Sequence, residues 1–186
     1  LKHHRAYNDA ECLAKIFIEC LKRIAEQGED LLKQQTNVRD LKTYHAIILA
    51  KNKVGLKNLY QLVSASHLEY FYRRPRVPRS LLESHREGLI LGTACEQGEL
   101  FRALLNNDPP EKIDRICRFY DYFEVQPKGN NAFLIREGTL PDEAALEEIY
   151  HKILKLGKQY NKRVVATTDT HFLDARDEYF RRIIFH

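Results

Sequence analysis

Asp169 and His171 sit just beyond a run of small and β-branched residues, Val164-Val165-Ala166-Thr167-Thr168. A buried strand is expected there, and residues two apart on a strand share a face. A carboxylate would then enter one site beside an imidazole, which is half of a divalent-metal site. A strand-end Asp that caps the next helix, with a His packed beside it, accounts for the same two residues. Cys95 ends a second apolar run, Gly88 to Ala94. A thiolate there can ligate a soft or borderline metal, and a buried core thiol is the plain alternative. Glu99, one helical turn on, suits an acceptor behind such a ligand or a charge at a helix N-terminus. His45 lies in a third apolar run, Tyr44 to Ala50, as an inward-facing donor or a satisfied core histidine. His4 precedes a helix whose first turns carry Asp9. That pair suits a general base with a metal-binding carboxylate, or simply an acid placed against the helix dipole. Tyr70-Phe71-Tyr72-Arg73-Arg74-Pro75-Arg76 can contact phosphates and stack on bases, or anchor a solvated loop by its rings.

These side chains act together only if the fold gathers them. Apolar spacings of three and four from Ala10 to Ile24 predict a helix over residues 6–33. A polar stretch then marks a boundary near residues 28–40. Strands are expected at residues 44–50, 88–95, 122–127 and from Val164. Between them, helices are expected at residues 56–67, just after Pro78, at 97–105, from Pro109-Pro110, and from Pro141 to Tyr160 with Pro at the first helical position and acids in the first turn. Alternating strands and helices predict an α/β fold with parallel strands and crossover helices. In such folds the carboxyl ends of the strands build the site, where Cys95, Asp169 and His171 fall.

Composition sets outer limits. The 186 residues are 44% hydrophobic and 30% charged, which suits one good core. A net charge of +4 permits nucleic-acid contact without requiring it. No apolar run is long enough for a membrane span, and no secretory leader opens the sequence. Four cysteines without CxxC spacing read as reduced thiols in a cytoplasmic protein. The sequence has no methionine, opens on a His-rich motif and stops inside an apolar helical run, so an internal piece of a longer protein is expected.

Longer motifs carry a family resemblance. Tyr44 to Asn52, Gly55 to Ser64, Thr93 to Leu100 and Asp169 to Leu173 resemble the PHP (polymerase and histidinol phosphatase) domain of bacterial DNA polymerase III alpha subunits. Tyr70 to Arg76 and Gly129 to Phe133 resemble its PolC type. His4-Arg5-Ala6-Tyr7-Asn8-Asp9-Ala10 is similar to the last motif of DEDDh 3′–5′ exonucleases, which the PolC type carries inserted within its PHP domain. The resemblance implies the end of an exonuclease at residues 1–30, a linker at 31–40 and the C-terminal part of a PHP domain at 41–186. It implies an incomplete, distorted (β/α)7 barrel preceded by the exonuclease's last helix. His4 would be the general base and Asp9 a metal ligand, with Mg or Mn. Asp169, His171 and Cys95, with His45 as a further donor, would be PHP ligands for Zn or Mn. The parent would be a replicative DNA polymerase with proofreading, acting on DNA and deoxynucleoside triphosphates, in contact with the sliding clamp and with no membrane. The first PHP motif, His-x-His, is absent from these residues. The fragment alone is therefore expected to be inactive, with the PHP part either structural or an active phosphoesterase. Alternatives are a free-standing histidinol-phosphatase-like phosphoesterase and a metal-free binding module.

Overall fold

A computed structural model describes residues 11, 13–19, 21–22 and 41–185. The chain divides into two compact units, Leu1–Lys42 and Thr43–His186. In the first, residues 13–19 are helical, and Leu13, Ile16, Phe17 and Ile18 of the expected amphipathic helix are exposed. His4, Asp9 and the expected linker lie outside the described residues.

The second unit is mixed α/β. In chain order it comprises β1 (Ile47–Ala50), α1 (Lys53–Leu68), α2 (Arg79–Ser84), β2 (Leu89–Gly92), α3 (Glu99–Leu105), α4 (Pro110–Phe119), β3 (Tyr122–Val125), α5 (Lys128–Asn131), α6 (Phe133–Arg136), α7 (Glu143–Gln159), β4 (Arg163–Ala166) and α8 (Asp177–Phe185). The four strands form one sheet in the order β1-β2-β3-β4. β2, β3 and β4 run parallel, each pair joined by helical crossovers.

β1 departs from the all-parallel expectation. It pairs antiparallel to β2, from Ile47 opposite Gly92 to Ala50 opposite Leu89. The physical reason is where the connection returns. α1 leaves from the end of β1, and the segment through α2 brings the chain back to that same end. There Lys51 N donates to Gly88 O at 2.8 Å. The closure is tight: a Cβ on Gly55 would lie 1.8 Å from Gly88 O. Gly88 itself has φ +71°, where L side chains are strained.

One face of the sheet is packed by helices. Leu89, Leu91 and Phe123 enter the core with Leu100, Phe101 and Leu104 of α3, Ile116 of α4, and Leu146, Ile149 and Ile153 of α7. The α7 spacing of three and four is that of an amphipathic helix. Its N-cap is Asp142, whose side chain accepts from Ala145 N at 2.9 Å, so Pro141 precedes the cap instead of standing at the first helical position. Lys162, entering β4, donates to the carbonyls of Cys117, Arg118 and Tyr120 at the C-terminus of α4. Along β3 the pleat alternates, so Phe123 goes to the helices while Tyr122 and Glu124 take the opposite face. Among the described residues, no helix is long and apolar enough to cross a membrane.

Candidate metal centre

The parallel strands end side by side, and the chain leaves each by a sharp turn. β2 stops at Gly92, Thr93 follows, and Ala94 takes φ +58°. β4 stops at Ala166, and Asp169 takes φ +51°. A non-glycine residue in that region costs about 1–2 kcal/mol, yet both turns use one. Each redirects the chain just where a donor is presented. Asp169 and His171 are therefore not on the strand, and the rule that residues two apart share a face does not govern them.

Both turns are fastened to β3. Glu124 N donates to Thr93 Oγ1 at 3.0 Å, and Thr167 N donates to Val125 O at 3.0 Å. Thr167 Oγ1 donates to Glu124 Oε2 at 2.9 Å. Glu124 is 6% exposed, so these bonds form inside the protein. Asn130 Nδ2 holds Thr168 O at 2.7 Å.

The loop after β2 then folds back on itself. Gly98 N donates to Cys95 O at 2.8 Å. A Cβ on Gly98 would lie 1.9 Å from Thr93 O and 2.9 Å from Cys95 O, so only glycine fits. The segment before β1 lies alongside: His45 N donates to Gln97 O at 3.1 Å, and His45 bridges Gly98 in parallel.

These turns bring Cys95, Glu96 and Asp169 together, with one ligand atom from each inside a 4.8 Å radius of the others. His45 joins them, its Nδ1 3.4 Å from Cys95 Sγ. Burial pushes the Cys95 thiol up to about 11, against the Gln97 N–H that lowers it, and the Glu96 and Asp169 carboxylates push it further up. Two carboxylates and a sulfur this close repel as anions and are stabilised by a shared cation. A bound cation would also deprotonate the thiol. The donor set therefore fits a divalent ion: thiolate and imidazole suit zinc, and the carboxylates also suit manganese.

Glu96 is not among the residues that strand-end reasoning selects. Its neighbour Cys95 is selected, and on a regular strand adjacent residues point to opposite faces. The turn at Ala94 removes that exclusion. His171 is not in the three-residue group. Its Nδ1 lies 2.6 Å from Asp169 O. A carbonyl only accepts, so Nδ1 is the donor here, and in the neutral ring that leaves Nε2 as the free acceptor, the usual preparation of a metal-binding histidine. Glu99 does not stand behind Cys95. It pairs with Arg79 and accepts from Tyr120 OH at 3.3 Å. His4 and Asp9 lie outside the described residues, so this geometry does not include them.

Comparison with known proteins adds a family and relatives. A PHP domain family model matches residues 6–164. The match begins inside the segment whose motif resembles an exonuclease and ends before Asp169. Three similar curated proteins are described as DNA polymerase III PolC-type. That of Clostridium perfringens (strain 13 / Type A) is 48% identical over 190 residues, covering 98% of this chain and 13% of its own length. That of Caldanaerobacter subterraneus subsp. tengcongensis is 50% identical over 175 residues, covering 90% of this chain and 12% of its own length. That of Bacillus subtilis (strain 168) is 44% identical over 190 residues, covering 98% and 13%. The chain thus spans about an eighth of the length of these relatives.

Proposed function

We propose, for a chain that belongs to the PHP domain family, that it is the metal-binding PHP segment of a PolC-type replicative DNA polymerase. The observation that carries this is the convergence of Cys95, Glu96 and Asp169, with His45 against the sulfur, in a chain similar to PolC-type polymerases along nearly all its length. Cys95, Asp169 and His45 would hold a zinc or manganese ion, with Glu96 beside them. His171 would add its Nε2. When bound, the ion supplies charge neutralisation and, with an open position, Lewis-acid chemistry at a phosphate.

This chain's own residues do the positioning. Thr93, Glu124 and Thr167 tie the two ligand-bearing turns to β3, and Gly98 lets the loop carrying Cys95 and Glu96 fold back onto Thr93. In the reading favoured here, residues 41–186 complete a distorted (β/α)7 barrel with preceding chain. Residues 1–30 then end a DEDDh exonuclease in which His4 takes a proton from water and Asp9 binds Mg or Mn, with a linker at 31–40. The whole protein would act in the cytoplasm on DNA and deoxynucleoside triphosphates, alongside the sliding clamp.

Primer extension and 3′-end excision by the full-length protein test the assignment. His4→Ala is expected to lower excision by several orders of magnitude and leave extension near wild type. Loss of neither activity in that variant, or absence of DNA synthesis in the wild type, overturns the reading.

A further inference from the structure

The loop between α1 and α2 carries a separate feature, and none of the metal donors belongs to it. From Tyr70 to Arg79 it holds four arginines, three aromatic rings and no acid. Arg79 is accounted for by its pair with Glu99 and its position 4.0 Å over the Phe119 ring. Arg73 and Arg74 are exposed, and among the described residues neither has an ion-pair partner.

Arg73 has φ +61°. Glycine adopts that conformation without the Cβ penalty, so stability alone does not call for a long cationic side chain there. The loop is nevertheless held in shape. Tyr72 N donates to Arg74 O at 3.2 Å, and Pro75 and Pro78 fix two φ angles. The guanidinium carbons of Arg73 and Arg76 stand 5.4 Å and 5.0 Å from the centre of the Tyr72 ring. Beside them the Phe71 ring is 55% exposed and stacked on His67 at 6.3 Å. Fixed guanidinium groups beside an exposed ring match the chemistry of a single strand: phosphates for the cations, a base face for the ring.

We infer that the Phe71–Arg76 loop binds single-stranded nucleic acid, with Arg73 and Arg74 on phosphates and Phe71 against a base. The inference rests on the proposed function, because it names a surface for the nucleic acid that function requires. Binding of a dT oligonucleotide by the full-length protein, followed across salt concentration, tests it. The variants are Arg73→Gly with Arg74→Gln, and Arg136→Gln as a control arginine on α6.

The double variant should weaken binding roughly tenfold and make the log–log salt slope shallower by about 1.4, two phosphates' worth for a single strand. Arg73→Gly alone should melt no lower than wild type, since glycine fits φ +61°. Arg74→Gln, which leaves the strained position untouched, should show half the change in slope. If the wild type binds the oligonucleotide and the double variant matches Arg136→Gln in affinity and slope, the loop assignment fails while the polymerase reading stands. If the wild type does not bind DNA, both fail. Loss of binding to acidic peptide or anionic vesicles in place of the oligonucleotide would also overturn the assignment.

Discussion

His45 Nδ1 and Cys95 Sγ meet at 3.4 Å across fifty residues of chain. The contact depends on the antiparallel edge of the sheet. β1 and β2 join end to start, so the segment entering β1 runs beside the loop leaving β2. An imidazole thereby reaches donors delivered by two other strand ends. The centre is assembled from three separate segments, and its geometry depends on turns and on bonds beneath the ligands.

Gly98 is one such dependence. Gly98→Ala would place a methyl 1.9 Å from Thr93 O, which is backbone and cannot rotate away. The loop carrying Cys95 and Glu96 must shift, at an expected cost of about 1–3 kcal/mol. Urea unfolding and metal titration of the full-length protein should both register the change. Gly129→Ala, where a Cβ meets nothing within 4 Å, is the control.

Thr167 is another. Thr167→Val removes the hydroxyl that donates to Glu124 Oε2 and leaves a buried carboxylate oxygen short of a donor. The expected destabilisation is about 1–3 kcal/mol. Thr168→Val, at an exposed position, should cost much less. Equal denaturation midpoints for the two variants would contradict the role given to Glu124.

Cys117 provides a reading outside the site. It is fully buried, and burial raises its thiol from 9.0 to about 11 despite the opposing charge of Lys162. The folded protein thus holds this proton more tightly than the unfolded chain does. The resulting stability is fully present below about pH 9 and is lost as pH rises towards 11. Peptide mapping after iodoacetamide treatment near pH 8 should find Cys117 unmodified in the native protein and modified after denaturation. Equal labelling in both states would contradict the burial.

Much of this arrangement is legible in the residues themselves. Apolar runs mark all four strands, but only β2 and β3 are buried as such a run leads one to expect, because Leu89, Leu91 and Phe123 meet the helices; β1 and β4 are exposed or half-buried, with Leu49 48% exposed. Strand ends draw attention to Cys95 and Asp169. Strand direction is less legible. The same alternation of helix and strand describes a crossover that returns to the far end of its strand and one that returns to the near end. The near-end return is seen only in the structure, where Gly55 packs backbone to backbone against Gly88 and Lys51 N bonds Gly88 O. The donors' relation is hidden for a similar reason. Ala94 adopts a φ that its residue type does not announce and Asp169 one that Asp adopts only occasionally, and those turns admit Glu96 and take His171 off the strand face.

Metal content of the purified full-length protein decides whether Cys95 and Asp169 hold an ion. Elemental analysis of the wild type, Cys95→Ser and Asp169→Asn, each dialysed against weak chelator, compares moles of zinc and manganese per mole of protein. Each variant is expected to lose at least one tightly held ion present in the wild type, while circular dichroism stays unchanged. Equal metal content in all three proteins would contradict their role as ligands.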